Sequence, residues 1–111
     1  MKTGILIEQL TKFGLDRDVV IQTRQVRQDL VVCVIKETLG VSFDDEGVAV
    51  ISEIAGETYT QTSALVTRLR DGDSQKETVI ESCIHEHTAD FEVVLINGII
   101  FLRELKNSKP W

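Results

Sequence analysis

Aromatic side chains are scarce in this chain, with one Trp, one Tyr and four Phe among 111 residues. Modules that hold single strands of nucleic acid stack bases on such rings, as sugar sites stack sugars, so the scarcity argues against both ligands. Basic residues are also in deficit. Twelve Lys and Arg stand against 18 Asp and Glu, a net charge of −6, and no stripe of positive charge is present to neutralise phosphates. Direct contact with nucleic acid is therefore not expected. No apolar run is long enough to span a bilayer, and no charged start followed by an apolar core marks a signal peptide. These absences predict a cytoplasmic chain with no membrane partner. Two cysteines, Cys33 and Cys83, are too few for a disulfide scaffold. They fit reduced, buried thiols, with a single bridge as the alternative.

The motifs of common enzymes are missing as well. There is no Gly-rich phosphate loop and no Ser flanked by the glycines of a nucleophile elbow. Carboxylates abound, yet none lies on an apolar stretch that would raise its pKa for acid–base work. The expectation is a protein that is not an enzyme and needs no cofactor.

What the chain does have is an ordinary globular composition, 42% hydrophobic and 27% charged, at a length that suits one domain. Residues 1–105 are expected to form that domain, and 106–111 a polar tail. Its strongest local signal is Phe91–Leu105, two apolar runs joined by Asn97-Gly98, the favoured pair for a type I′ β-hairpin turn. A two-residue loop there sets the register. Ile96 faces Ile99, Leu95 faces Ile100, Val94 faces Phe101, Val93 faces Leu102, and Glu92 faces Arg103 as an acid opposite a base. Alternation puts Val94, Ile96, Ile99 and Phe101 on one face, and Phe91, Val93, Leu95, Ile100 and Leu102 on the other. Both faces are apolar, so each needs a cover. One packs on the domain's own core. The other needs a further layer of this chain or a partner.

Elsewhere the pattern predicts a helix from Thr3, with Leu6, Leu10 and Phe13 in one stripe and Gly14 as its stop. Val19–Ile21 reads as a strand. From Thr23 a helix is favoured, with Val26, Leu30, Cys33 and Val34 on one side and Gly40 at its end; LVVCVI over 30–35 keeps a strand as the alternative. Val48–Ile51 reads as a strand, and Ala64–Arg70 as its partner, against a helix capped at Thr62 or Ser63. Ser74 and Glu77 have capping-box spacing, and Val79, Ile80, Cys83, Ile84 and His87 then share a helical face. The sum is an α+β domain of about four mostly antiparallel strands, with two or three helices packed on one face of the sheet. The sheet's second face is left open.

Three functional expectations follow. The first is a small, acidic, non-enzymatic interaction or regulatory module, homodimeric through its sheet, with Val94, Ile96, Ile99 and Phe101 as the contact set or the Leu95/Leu102 set in their place. The second rests on two acidic blocks. Residues 37–57 carry six acids and no base, and 71–92 carry seven acids against Lys76 alone. Asp44, Asp45 and Glu46 would then face a basic client, as in an acidic inhibitor or a secretion-type chaperone, although such blocks more often serve as a solvated surface. The third is a metal or thiol site at Cys83 and His87, joined by His85 if the segment is a strand. Asp44-Asp45-Glu46 and Asp71-Gly72-Asp73 lack the ligand spacing of a calcium loop and read as turns.

Overall fold

A computed structural model of the chain describes residues 1–54, 59–82 and 84–105, apart from the side chains of Val26, Arg27 and Val31. The chain opens with helix α1 (Thr3–Phe13) and a long hairpin of β1 (Asp18–Arg27) and β2 (Leu30–Lys36). Strands β3 (Leu39–Phe43), β4 (Ala49–Glu53) and β5 (Thr60–Gln61) follow, then helix α2 (Thr62–Leu69). The last elements are β6 (Thr78–Glu81), β7 (His87–Thr88), β8 (Phe91–Ile96) and β9 (Ile99–Glu104). They form two sheets. A five-stranded sheet has the order β2-β1-β9-β8, with β5 pairing the start of β1, and a four-stranded sheet runs β3-β4-β6-β7. Each contains one parallel pairing, β1 with β9 and β4 with β6. Parallel neighbours need a crossover connection, and α2 lies within the one that joins β4 to β6.

The two sheets and both helices share a single core. Leu6 and Leu10 from α1 and Leu65, Val66 and Leu69 from α2 pack with Val19, Ile21, Phe91, Ile100 and Leu102 of the larger sheet. Leu39, Val41, Ala49, Ile51 and Ile80 of the smaller sheet complete it. Fully burying side chains of this size contributes roughly 1.5–3 kcal/mol each. The C-terminal hairpin has the expected register, from Ile96↔Ile99 to Glu92↔Arg103, and Asn97 and Gly98 adopt φ of 50° and 82°, as a type I′ turn requires. The α1 stripe also holds, and the Gly14 N–H closes the helix on Leu10 O at 3.2 Å. Thr3 does not cap it from outside. Thr3 is its first residue, and the hydroxyl lies 2.7 Å from that of Thr78 and donates to Lys76 O at 3.0 Å.

Three expected elements take another form, and with them the strand count. The favoured helix from Thr23 is the distal part of the β1–β2 hairpin. Its tip, Gln28-Asp29, has φ of 48° and 66°, a second turn with both central residues left-handed. The apolar spacing fits a helical stripe, but β-branched side chains lose χ1 freedom in a helix, and the LVVCVI alternative prevails. The helix expected over Ser74–His87 is a turn followed by β6. Ser74 O and Lys76 O accept from the amides of Gly4 and Thr3, which ties the turn to the start of α1. Thr78, Val79 and Ile80 then enter the sheet beside Ala49, Val50 and Ile51. Here strand pairing overrides the helical spacing. Conversely, Thr62–Leu69 is the helix that was the competing reading of that segment, held at its start by the Thr62 N–H and hydroxyl, both on Arg17 O at 2.8 Å.

Candidate functional site: the outer face of the larger sheet

The core receives one of the two predicted hairpin faces. Phe91, Ile100 and Leu102 are buried in it, with Val93 packed against it, whereas Leu95 at the end of the strand is exposed. The set Val94, Ile96, Ile99 and Phe101 points away from the core. Val94, Ile99 and Phe101 are half-buried, and Ile96 is 39% exposed. Register extends this outer face across the sheet. Phe101 neighbours Val20 on β1, Arg103 neighbours Gln22, and Gln22 neighbours Ile35 on β2. Val20 is 2% exposed although it stands outside the core cluster, so the middle of the outer face is already dry. Ile35 is 49% exposed at its margin, beside the exposed thiol of Cys33. The outer face therefore has a buried centre and apolar flanks in water. Sequence reasoning missed the part played by β2, whose signal was the LVVCVI run itself.

Polar groups on this face are fixed by one another. Arg103 donates from Nε at 2.8 Å and from Nη2 at 2.6 Å to Glu92 Oε1, the acid–base pair that the hairpin register predicts. On the opposite side of β9, the side of Leu102 and Phe91, Glu104 Oε2 accepts the Arg24 N–H at 3.2 Å. Burial raises the Glu104 carboxyl above its ordinary pKa, a shift the Arg24 N–H and charge partly oppose. At the opposite end of the sheet Arg17 reaches Gly98 O at 3.3 Å, tying the loop after α1 to the C-terminal turn.

The other predicted site residues lie apart. Asp44, Asp45 and Glu46 are exposed in the β3–β4 turn, where Asp44 Oδ1 accepts the amides of Glu46 and Val48, each at 2.9 Å. Asp73 Oδ1 accepts the Gln75 amide at 2.8 Å in the same manner. Both are turns built by an Asp side chain. Cys83 lies outside the described residues. His87 Nε2 is 3.2 Å and His85 Nδ1 3.7 Å from Glu81 Oε1, with His85 in a left-handed turn residue at φ 63° and Ile84 exposed rather than on a buried stripe. Among the described residues no group of three such side chains is arranged to hold a metal ion. Cys33, expected to be buried, is an exposed free thiol. Tyr59, across from Glu37, has its phenol pKa raised, chiefly by the negative charge of that carboxylate. A shallow depression on α1, lined by Ile5, Glu8, Gln9 and Lys12, carries no convergent set of polar groups.

No described helix is long and apolar enough to cross a membrane. Comparisons with family models, with curated proteins and with solved structures find nothing that matches this chain.

Proposed function

We propose that this chain is a small, cytoplasmic, non-enzymatic protein–protein interaction module. It works as a homodimer assembled through its five-stranded sheet, and the outer face of that sheet is the surface it presents to other protein. The observation that carries this reading is the chemistry of the face. Val94, Ile96, Ile99, Phe101 and Ile35 stand where an antiparallel sheet facing water places polar residues. Contiguous apolar surface of this kind marks a contact surface rather than a solvated one. The acidic-client reading has weaker support, because the Asp44 carboxylate is occupied in its own turn.

The test is the mass in solution. Light scattering over a dilution series should return twice the 12.5 kDa chain mass at the upper concentrations. A mass of one chain at every concentration contradicts the homodimer.

A further inference from the structure

The proposed contact through the outer face does not fix where two copies join. We propose that the seam is the free edge of β2, paired antiparallel with β2 of a second copy about a two-fold axis at Cys33. The inference rests on the homodimer reading above and specifies its geometry.

Strand β2 ends the larger sheet, and among the described residues only β1 pairs with it. Its register with β1 runs unbroken from Arg27↔Leu30 to Ile21↔Lys36, with no bulge, and the strand contains no proline. Soluble proteins ordinarily blunt such an edge with a short strand, a bulge, a proline or inward charges. β2 has none of these before Lys36 at its end. The sheet's other edge, β8, has α1 packed beside it, and the chain's N-terminal ammonium bonds Ala89 O just before that strand.

Hydrogen-bond direction follows from the turn. A two-residue hairpin loop closes on a hydrogen-bonded pair, here Arg27 with Leu30. By alternation Val32, Val34 and Lys36 also aim their amides at β1, while Val31, Cys33 and Ile35 aim theirs outward. A second β2 centred on Cys33 satisfies all of these outward groups reciprocally. Val31 meets Ile35 of the copy, and Cys33 meets its own equivalent.

Two observations favour a second copy as the occupant. The first is charge. The protein is acidic at −6, yet Leu30–Ile35 carries no charged residue, so like-charged copies meet there without opposed acids. Glu37, where the first acidic block begins, leaves the strand line, its carbonyl taken by the Thr60 amide at 3.0 Å. The second is support. Pairing between β1 and β9 among the described residues ends at Gln22↔Arg103, and the Glu104 side chain accepts the Arg24 amide beyond it. Beyond that point β1 and β2 form a two-stranded ribbon among the described residues, with Leu30 67% exposed and Val32 41% exposed. Two strands alone are marginal in water, and a second copy makes them four. Pairing of this kind is also closed, because each edge is used once. The axis stands perpendicular to the sheet, so Ile35 and Cys33 of the two copies meet at the centre of one continuous outer face. The Val94, Ile96, Ile99 and Phe101 sets become its two wings.

The seam is testable through Cys33. Across a hydrogen-bonded antiparallel pair the Cα atoms lie about 5.5 Å apart, within the span of a disulfide. In full-length Cys83→Ser protein, mild oxidation should link Cys33 to its equivalent and give a covalent dimer on a non-reducing gel. A companion variant, Cys33→Pro, removes an outward N–H that β1 does not use, so the fold survives while the seam is lost. Its dimer dissociation constant should rise roughly tenfold or more, with unchanged circular dichroism. A wild-type dimer that persists in Cys33→Pro and does not cross-link through Cys33 overturns the β2 seam and leaves the homodimer standing. Wild-type protein that is monomeric throughout overturns both.

Discussion

Thr23 is fully buried on the core side of β1, and among the described residues its hydroxyl has no hydrogen-bond partner. A buried polar group left unpaired costs about 1–3 kcal/mol, and valine has the same shape without it. Thr23→Val should therefore stabilise the fold by about 1 kcal/mol, raising Tm by several degrees in a thermal melt. Glu104 makes a second prediction. Its folded pKa lies above the ordinary value because burial disfavours the charged form. A raised carboxyl pKa favours the native state below the unfolded pKa, and that contribution is lost as pH rises through the folded pKa. Glu104→Gln removes the cost of the buried charge while keeping an acceptor for the Arg24 amide. Near pH 7 the variant should be the more stable by no more than about 0.5 kcal/mol, and the gap should close on acidification. Urea melts of both proteins over pH 4–7 check this.

At the scale of elements, the two hairpins show what a sequence reveals and what it hides. Asn97-Gly98 announces its turn because both residues tolerate positive φ, and from that pair alone the register of β8 and β9 followed, including Glu92 against Arg103. Gln28-Asp29 makes a turn of the same kind with residues that give no such signal, so Val19–Ile21 was legible as a strand while the distal part of β1 and all of β2 were hidden behind apolar spacing compatible with a helix. Thr78–Ile80 was obscured for a related reason. Its strand state depends on pairing with Ala49–Ile51 far away in the chain, which local periodicity does not register. Of the candidate site, the Val94/Ile96/Ile99/Phe101 set was legible from alternation, while the β2 residues that extend it were not. Left-handed backbone costs an ordinary residue roughly 1–2 kcal/mol. Replacing Gln28-Asp29 by Asn-Gly should therefore stabilise the protein by about 1 kcal/mol, whereas Gly98→Ala, at φ 82°, should destabilise it by about the same amount. Denaturant titrations of the two variants give both signs.

For the whole molecule, the decisive property is that one sheet has two apolar faces and one core. Leu102 and Phe101 are neighbours in β9 on opposite faces, the first fully buried in the core and the second half-buried outside it. Leu102→Ala should cost about 2–5 kcal/mol of folding stability in the manner of a core cavity. Phe101→Ala should cost well below that, since its ring has solvent on one side. Equal losses would mean that both faces are internal and would remove the basis for a partner surface. A sheet joined at β2 offers a more direct test. Amide hydrogen exchange, followed by NMR across a dilution series of the unmodified protein, reads the outward amides of Val31, Cys33 and Ile35 one by one. Those amides should be protected at high concentration and lose protection on dilution, while the inward amides of Val32 and Val34 stay slow at both. Fast exchange of the three outward amides at every concentration would contradict a dimer built through this edge of the sheet.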